Sequence, residues 1–250
     1  MSGHSKWSQI KRQKGAADVK RGQVFTKLGR EIAIAVREGG PDPDGNPRLR
    51  QVIQRAREAS MPTDTIDRAI KRATGGGEGA ALEEITYEGY GPGGAAVLVE
   101  ALTDNRNRAV AEIRSAFTRA GGSLGESGCV AWLFEPRGVI AVANGDRDPD
   151  ELGLVAIDAG AEDVRVEDGV VEVLTQPGDL DAVRAALEAN GVRVASAEAA
   201  LVPKTTVPLD EKNAAATLRL MEKLEDLDDV QRVYTNLELS EAVLQAYQAG

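Results

Sequence analysis

Lysine and arginine at the start of the chain are the residues whose type and spacing could do chemistry. Lys6, Lys11, Arg12, Lys14, Lys20, Arg21, Lys27, Arg30 and Arg37 put nine positive charges into residues 2–37, against Asp18 and Glu31. That stretch carries +7 while the whole chain is at −10, which leaves −17 for the remainder. Such cations neutralise phosphates and release counterions, the main source of sequence-independent nucleic-acid affinity. Trp7 lies among them, and an indole stacks on unpaired bases. The plainer alternative is a solvated charged tail with Trp7 folded against the helices behind it. The concentration of charge on an otherwise acidic protein favours nucleic-acid binding. Arg48 and Arg50 extend the candidate set, although either can simply cover helix surface.

Two further motifs could meet a partner. In TDNRNR (103–108), Asp104 or Asn105 caps a helix starting near Arg106. A capped N-terminus with Arg106 and Arg108 would make an anion site, and capping alone is the equal alternative. In YGPGG (90–94), glycine permits close backbone approach. A tight hairpin turn explains that pattern locally; Tyr87, Tyr90, Gly91, Gly93 and Gly94 form the partner-contact alternative. GESG (125–128) is not a nucleophile elbow, and TGGGEGA (74–80) lacks the strand and Lys-Ser/Thr of a phosphate loop. TGGGEGA reads as a flexible joint instead.

The scarcity of other reactive side chains excludes much. One cysteine, Cys129, and one histidine, His4, leave nothing for a disulfide framework, a Cys/His zinc site or a Ser-His-Asp machine. Cys129 reads as a small buried residue in a strand. No catalytic residue, metal or cofactor is expected. An enzyme handling a phosphate-bearing substrate at GPGG and TDNRNR is the weaker function class. No run approaches about 18 apolar residues, and no secretory signal is evident, so no membrane partner and a cytoplasmic location are expected.

Behind these residues stand three units. Residues 1–78 hold 16 basic and nine acidic residues. Apolar spacing predicts helices over 21–38, from Pro47 (capped by Asn46) to about Ser60, and after a Thr63 cap, which suggests a small bundle. From residue 81 strands and helices alternate. Strands are expected at 84–90, 95–103 and 128–135, with a helix over 107–120. Residues 137–203 read as an acidic βαββαβ unit of net −9, with a hairpin at Asp168-Gly169. After Pro203 come a strand at 205–209, a helix at 210–227 and a strand at 230–236. The simplest topology makes 81–136 plus 204–250 one discontinuous α/β domain carrying 137–203 as an insertion. The fold class is thus α+β: a helical bundle followed by two ferredoxin-like (βαββαβ) domains, one inserted in the other. Three consecutive units are the alternative.

Several stretches together resemble the YebC/PmpR family, which includes the mitochondrial translational activator of cytochrome c oxidase. They are GHSKW (3–7), FTKLGREI (25–32), NPRLR (46–50), SMPTDTIDRAI (60–70), YEGYGPGGAAVLVEALTDNRNR (87–108) and GGSLGESGCVAWLFE (121–135). Beyond residue 135, element order and DVQRVYTN (229–236) carry the likeness. RQK at 12–14 departs from a His-Arg-Lys-like run but stays basic. The resemblance implies three domains and a regulator of gene expression, either a DNA-binding transcriptional regulator or a ribosome-acting translation factor. The polar faces of helices 49–60 and 64–73 mix Arg with Glu and Asp, a poor base-reading surface. Backbone and shape recognition are therefore expected, with the ribosome and ribosomal RNA or mRNA preferred over DNA. A monomer is the default.

Overall fold

The computed structural model describes Trp7 and residues 18–75, 82–143, 148–167 and 170–248. Three helices come first: α1 (Asp18–Gly39), α2 (Pro47–Glu58) and α3 (Thr63–Thr74). Asn46 is buried and does two jobs. Its Oδ1 accepts from the Leu49 amide at 3.0 Å, capping α2. Its Nδ2 donates to the carbonyls of Ala35 (2.7 Å) and Gly40 (2.9 Å), pinning α2 to the end of α1. α3 begins differently from expectation. Thr63 is already helical, and Pro62 stands at the cap position without a side-chain bond. The Pro62 carbonyl accepts from Thr65 and Ile66, so the first turn closes one residue early. Ile32, Ala35, Leu49, Val52, Ala56 and Ile66 form the shared core of the bundle. They recur at helical spacing on each element.

Two four-stranded antiparallel sheets follow. The first joins β1 (Glu83–Tyr90), β2 (Ala96–Thr103), β3 (Ser123–Leu124) and β8 (Val230–Thr235) in the order β3-β1-β2-β8. The second joins β4 (Phe134–Ala143), β5 (Asp163–Glu167), β6 (Val170–Thr175) and β7 (Val194–Pro203) in the order β5-β6-β4-β7. Residues between 134 and 203 thus separate β3 from β8. The helices are α4 (Arg106–Ala120), α5 (Pro149–Asp158), α6 (Leu180–Ala189), α7 (Glu211–Glu225) and α8 (Glu241–Gln248). β5 and β6 form the expected hairpin, with Glu167 opposite Val170; Asp168 and Gly169 lie outside the described residues.

β2 is buried on both faces, and alternation divides its work. Val97 and Val99 pack with Ile113, Phe117, Leu218 and Met221 under α4 and α7. Ala96 and Leu98 pack with Phe134, Val139, Val202 and Tyr234, so one cluster spans both sheets. Arg232 of β8 donates to the Ala199 carbonyl of β7 across the same seam.

Two expected strands do not form. Residues 128–135 turn through a 3-10 segment at Ala131–Leu133 before β4 starts at Phe134, and β3 takes the edge position. The cause is Glu88, a buried carboxylate on β1. It accepts from the amides of Gly128 (2.6 Å), Val130 (2.8 Å) and Ala131 (2.7 Å). Amides bound to a side chain cannot serve a ladder. Among the described residues, 205–209 make one parallel bridge, Val207 to Leu237. Pro203 and Pro208 flank it without donors. The first sheet is therefore a hairpin, a short edge strand and β8, whereas the expectation was a second βαββαβ unit.

Close packing makes one glycine a test. A Cβ on Gly89 would lie 2.5 Å from the Ser123 carbonyl oxygen and 2.8 Å from Cε1 of the buried Phe117 ring. Neither neighbour is free to yield. Gly89→Ala is expected to cost roughly 1–3 kcal/mol in denaturant unfolding. Wild-type stability in that variant would contradict the β1–β3–α4 packing described.

Candidate nucleic-acid interface

The first candidates divide sharply by environment. Lys6, Lys11, Arg12, Lys14 and the Lys20 side chain lie outside the described residues. Arg21 is exposed on the first turns of α1. Lys27 and Arg30, one turn apart on α1, point at the corner between α7 and β8. Lys27 Nζ donates to the Glu225 carbonyl. Arg30 Nη1 reaches the Asp228 carbonyl (2.6 Å) and Asp229 Oδ1 (2.9 Å). Asp229 is buried and takes more than Arg30. Arg108 Nη2 meets its Oδ2 at 2.8 Å, and the Thr103 hydroxyl donates to the same oxygen at 2.9 Å. Two guanidinium groups from α1 and α4 therefore share one carboxylate.

The same pattern recurs along α2. Arg48 bonds Glu38 at 2.6 Å and also Glu84 of β1. Burial opposes its charge, but the two carboxylates outweigh that and raise its pKa. Arg55, two turns further on, pairs with Glu31. Arg50 lies on another face and donates to the carbonyls of Pro43 (3.1 Å) and Asp44 (2.8 Å), ordering the loop before α2. These pairs fasten α1 and α2 to the first sheet. Between them lies a cavity of about 250 Å³ lined by Glu31, Arg55, Glu100 and Gln231. Both polar atoms of the Gln231 amide are buried and lack a hydrogen-bond partner among the described residues.

Trp7 requires a correction. It is 1% exposed, and its ring meets Tyr247 of α8 edge-on at 5.5 Å between centroids. Its Nε1 donates to Glu225 Oε1 at 3.1 Å. The ring is core, so it does not present a face to a base.

The helix N-terminus at 105 resolves in favour of capping. Asn105 Oδ1 accepts from the Arg108 amide at 3.1 Å. Arg108 is held by Asp104 and then Asp229, both of which raise its pKa. Arg106 is exposed, with Glu83 at 3.8 Å. The YGPGG turn approaches its own chain. Gly93 has φ +76, and a Cβ there would sit 3.0 Å from Asn213 Cβ on α7. Gly91 is buried, and the Pro92 carbonyl accepts from the Thr217 hydroxyl at 3.2 Å. Gly94 is exposed, Tyr87 packs against the first-sheet core, and the Tyr90 hydroxyl donates to the Cys129 carbonyl at 3.1 Å.

Other cations face solvent with no carboxylate bound to them among the described residues: Arg37, Arg57, Lys71 and Arg72, together with Arg50. Sequence reading undervalued the last three of the four. A signal was present. With Leu49, Val52, Ile53 and Ala56 buried, positions 50 and 57 must point away from the core, whereas 48 and 55 lie at its flank.

Comparisons with known proteins agree with this architecture. A family model described as the TACO1/YebC protein N-terminal domain matches residues 5–76, and one described as the TACO1/YebC second and third domain matches residues 82–237. A "probable transcriptional regulatory protein" of Desulfosudis oleivorans is 56% identical over 246 residues, covering 98% of this chain and all of the relative. A protein of the same name from Moorella thermoacetica is 58% identical over 248 residues, covering 98% of each. The crystal structure of a conserved hypothetical protein, Aq1575, from Aquifex aeolicus superposes with a TM-score of 0.82 at 48% identity, over 91% of this chain and 94% of that one. Matched along nearly its whole length, this chain belongs to the TACO1/YebC family.

Proposed function

We propose that the protein is a cytoplasmic, non-enzymatic regulator of gene expression that binds nucleic acid through its N-terminal region, acting as a ribosome-associated translation factor on RNA. The observation that carries this reading is the charge distribution: +7 in residues 2–37 of a chain at −10. The neighbouring helices add solvent-facing Arg50, Arg57, Lys71 and Arg72. Such an array suits phosphate backbones. It offers little to base edges. The flank of α2 that carries Arg48 and Arg55 is turned against carboxylates, and α3 alternates Asp64 and Asp67 with Arg68 and Lys71. Structured RNA suits that chemistry at least as well as an operator. A DNA-binding transcriptional regulator is the second reading, favoured by the names of the relatives.

In this reading residues 81–136 and 204–250 form one discontinuous domain, and residues 137–203 an inserted, ferredoxin-like one. The strand order β5-β6-β4-β7 supports the latter. The inserted unit, at −9, avoids phosphate and orients the basic end toward it.

Sedimentation through a gradient with ribosomes tests the proposal. The protein is expected to travel with ribosomes, and Lys11→Glu with Arg12→Glu to release it. Tight, salt-resistant binding to one promoter, with no ribosome association, would overturn the translation reading in favour of the DNA one.

A further inference from the structure

Trp132 is 65% exposed. Its indole is nevertheless held in place: Nε1 donates to the Cys129 carbonyl at 3.2 Å. The Tyr90 hydroxyl, on a ring that is 39% exposed, donates to the same oxygen at 3.1 Å. One carbonyl thus fixes two exposed aromatic side chains. The turn that carries Trp132 is fixed as well. Glu88 binds the amides before it, and the Leu133 amide closes on the Val130 carbonyl at 2.9 Å. On its far side the Lys204 amide donates to the Leu133 carbonyl at 2.8 Å. Lys204 Nζ donates to the main-chain carbonyl of Trp132 at 2.9 Å, which places an ammonium at the backbone of the residue that carries the indole.

Exposing a large ring forgoes the benefit of burying it. Holding it rigid lowers the ordering cost when a flat partner stacks on it. The surroundings distinguish between partners. The segments bonded to this turn are polar or small where they are exposed: Glu126, Ser127 and Gly128 before it, Lys204 and Thr205 beside it. An exposed indole with a cation bound to the main-chain carbonyl of its own residue matches a base and its phosphate.

We propose that Trp132, Tyr90 and Lys204 form a stacking platform for an unpaired nucleobase, with Lys204 meeting the adjoining phosphate. The inference rests on the nucleic-acid reading above and adds a second contact, remote in sequence from the basic N-terminus.

Tryptophan emission of the full chain tests it. The chain has two tryptophans, and the other, Trp7, is buried. Titration with uridine- or adenosine-rich single-stranded RNA is expected to quench emission, whereas a blunt duplex leaves it unchanged. The matching DNA strand tells which polymer the platform takes. Trp132→Ala should remove the quench and weaken single-strand binding on the order of ten-fold. Trp132→Phe should keep most of the affinity. The ratio of wild-type to Trp132→Ala affinity should hold as salt rises, since stacking releases no counterions. Lys204→Gln should instead flatten the salt slope. Single-strand binding that is unchanged in Trp132→Ala overturns the platform and leaves the nucleic-acid reading standing. Absence of binding to any RNA or DNA overturns both. Loss of a protein partner, with RNA affinity intact, reassigns the ring to a protein contact and overturns the platform.

Discussion

Asp229→Ala is expected to destabilise the protein by about 2–3 kcal/mol and to lower its Tm by roughly 5–10 °C. The carboxylate is 4% exposed and lies between Arg30 and Arg108, whose side chains are 24% and 42% exposed. Removing it leaves two guanidinium groups and the Thr103 hydroxyl without their shared acceptor. Cost arises because a partly buried charge loses its partner. Water reaching both arginines keeps the loss below that of a fully enclosed pair. The variant has a second signature. Arg30 and Arg108 become available to phosphate, so sequence-independent nucleic-acid affinity should rise as stability falls. Calorimetry beside a salt-dependent binding titration separates the two effects. A variant with unchanged Tm would mean that α1 is not fastened at this corner.

Glu88→Ala is expected to cost about 2–4 kcal/mol at neutral pH. Three amides converge on its carboxylate, and the Val130 amide belongs to a fully buried residue. Burial raises the Glu88 pKa, but the amides of Gly128, Val130 and Ala131 outweigh burial and leave it below its ordinary value of 4.5. The sign for stability follows. The folded state holds the proton less tightly than the unfolded state. Stabilisation is therefore complete above the unfolded value and is lost as pH falls through it toward the folded one. Wild type and Glu88→Ala should differ most near neutral pH and converge in acid. A gap that stayed constant, or widened, on acidification would sink this account. The same substitution frees the turn that presents Trp132, so the nucleotide-induced quench should weaken with it. Glu88 therefore positions the platform without touching the ligand.

Much of the fold was legible because it is local. Asn46-Pro47 announced α2 through a cap and a donor-free first residue. Gly121 at φ +83 ended α4 where a left-handed residue was needed. Apolar positions in α1 and α2 repeated every three or four residues and fall in one core. The βαββαβ order between Phe134 and Pro203 could be read from alternation and turn chemistry.

What failed was whatever depended on a partner distant in the chain. Lys27, Arg30, Arg48 and Arg108 read as phosphate ligands by type, and each is bound to its own protein. Asp229 lies about two hundred residues from Arg30, beyond any motif's reach. The two tryptophans exchanged roles for the same reason. Trp7 stood among cations and looked exposed, yet Glu225 and Tyr247 bury it. Trp132 falls in the strand expected at 128–135, yet the turn that forms there leaves it exposed to solvent. By itself the sequence determined composition, polarity, the placing of helices such as α2 and α4, and family, since these depend on neighbours in the chain. The tertiary structure alone decided which charges remain free and which indole is exposed. A single buried carboxylate, Glu88, draws in the amides that a strand would have used, and the chain turns there instead of extending.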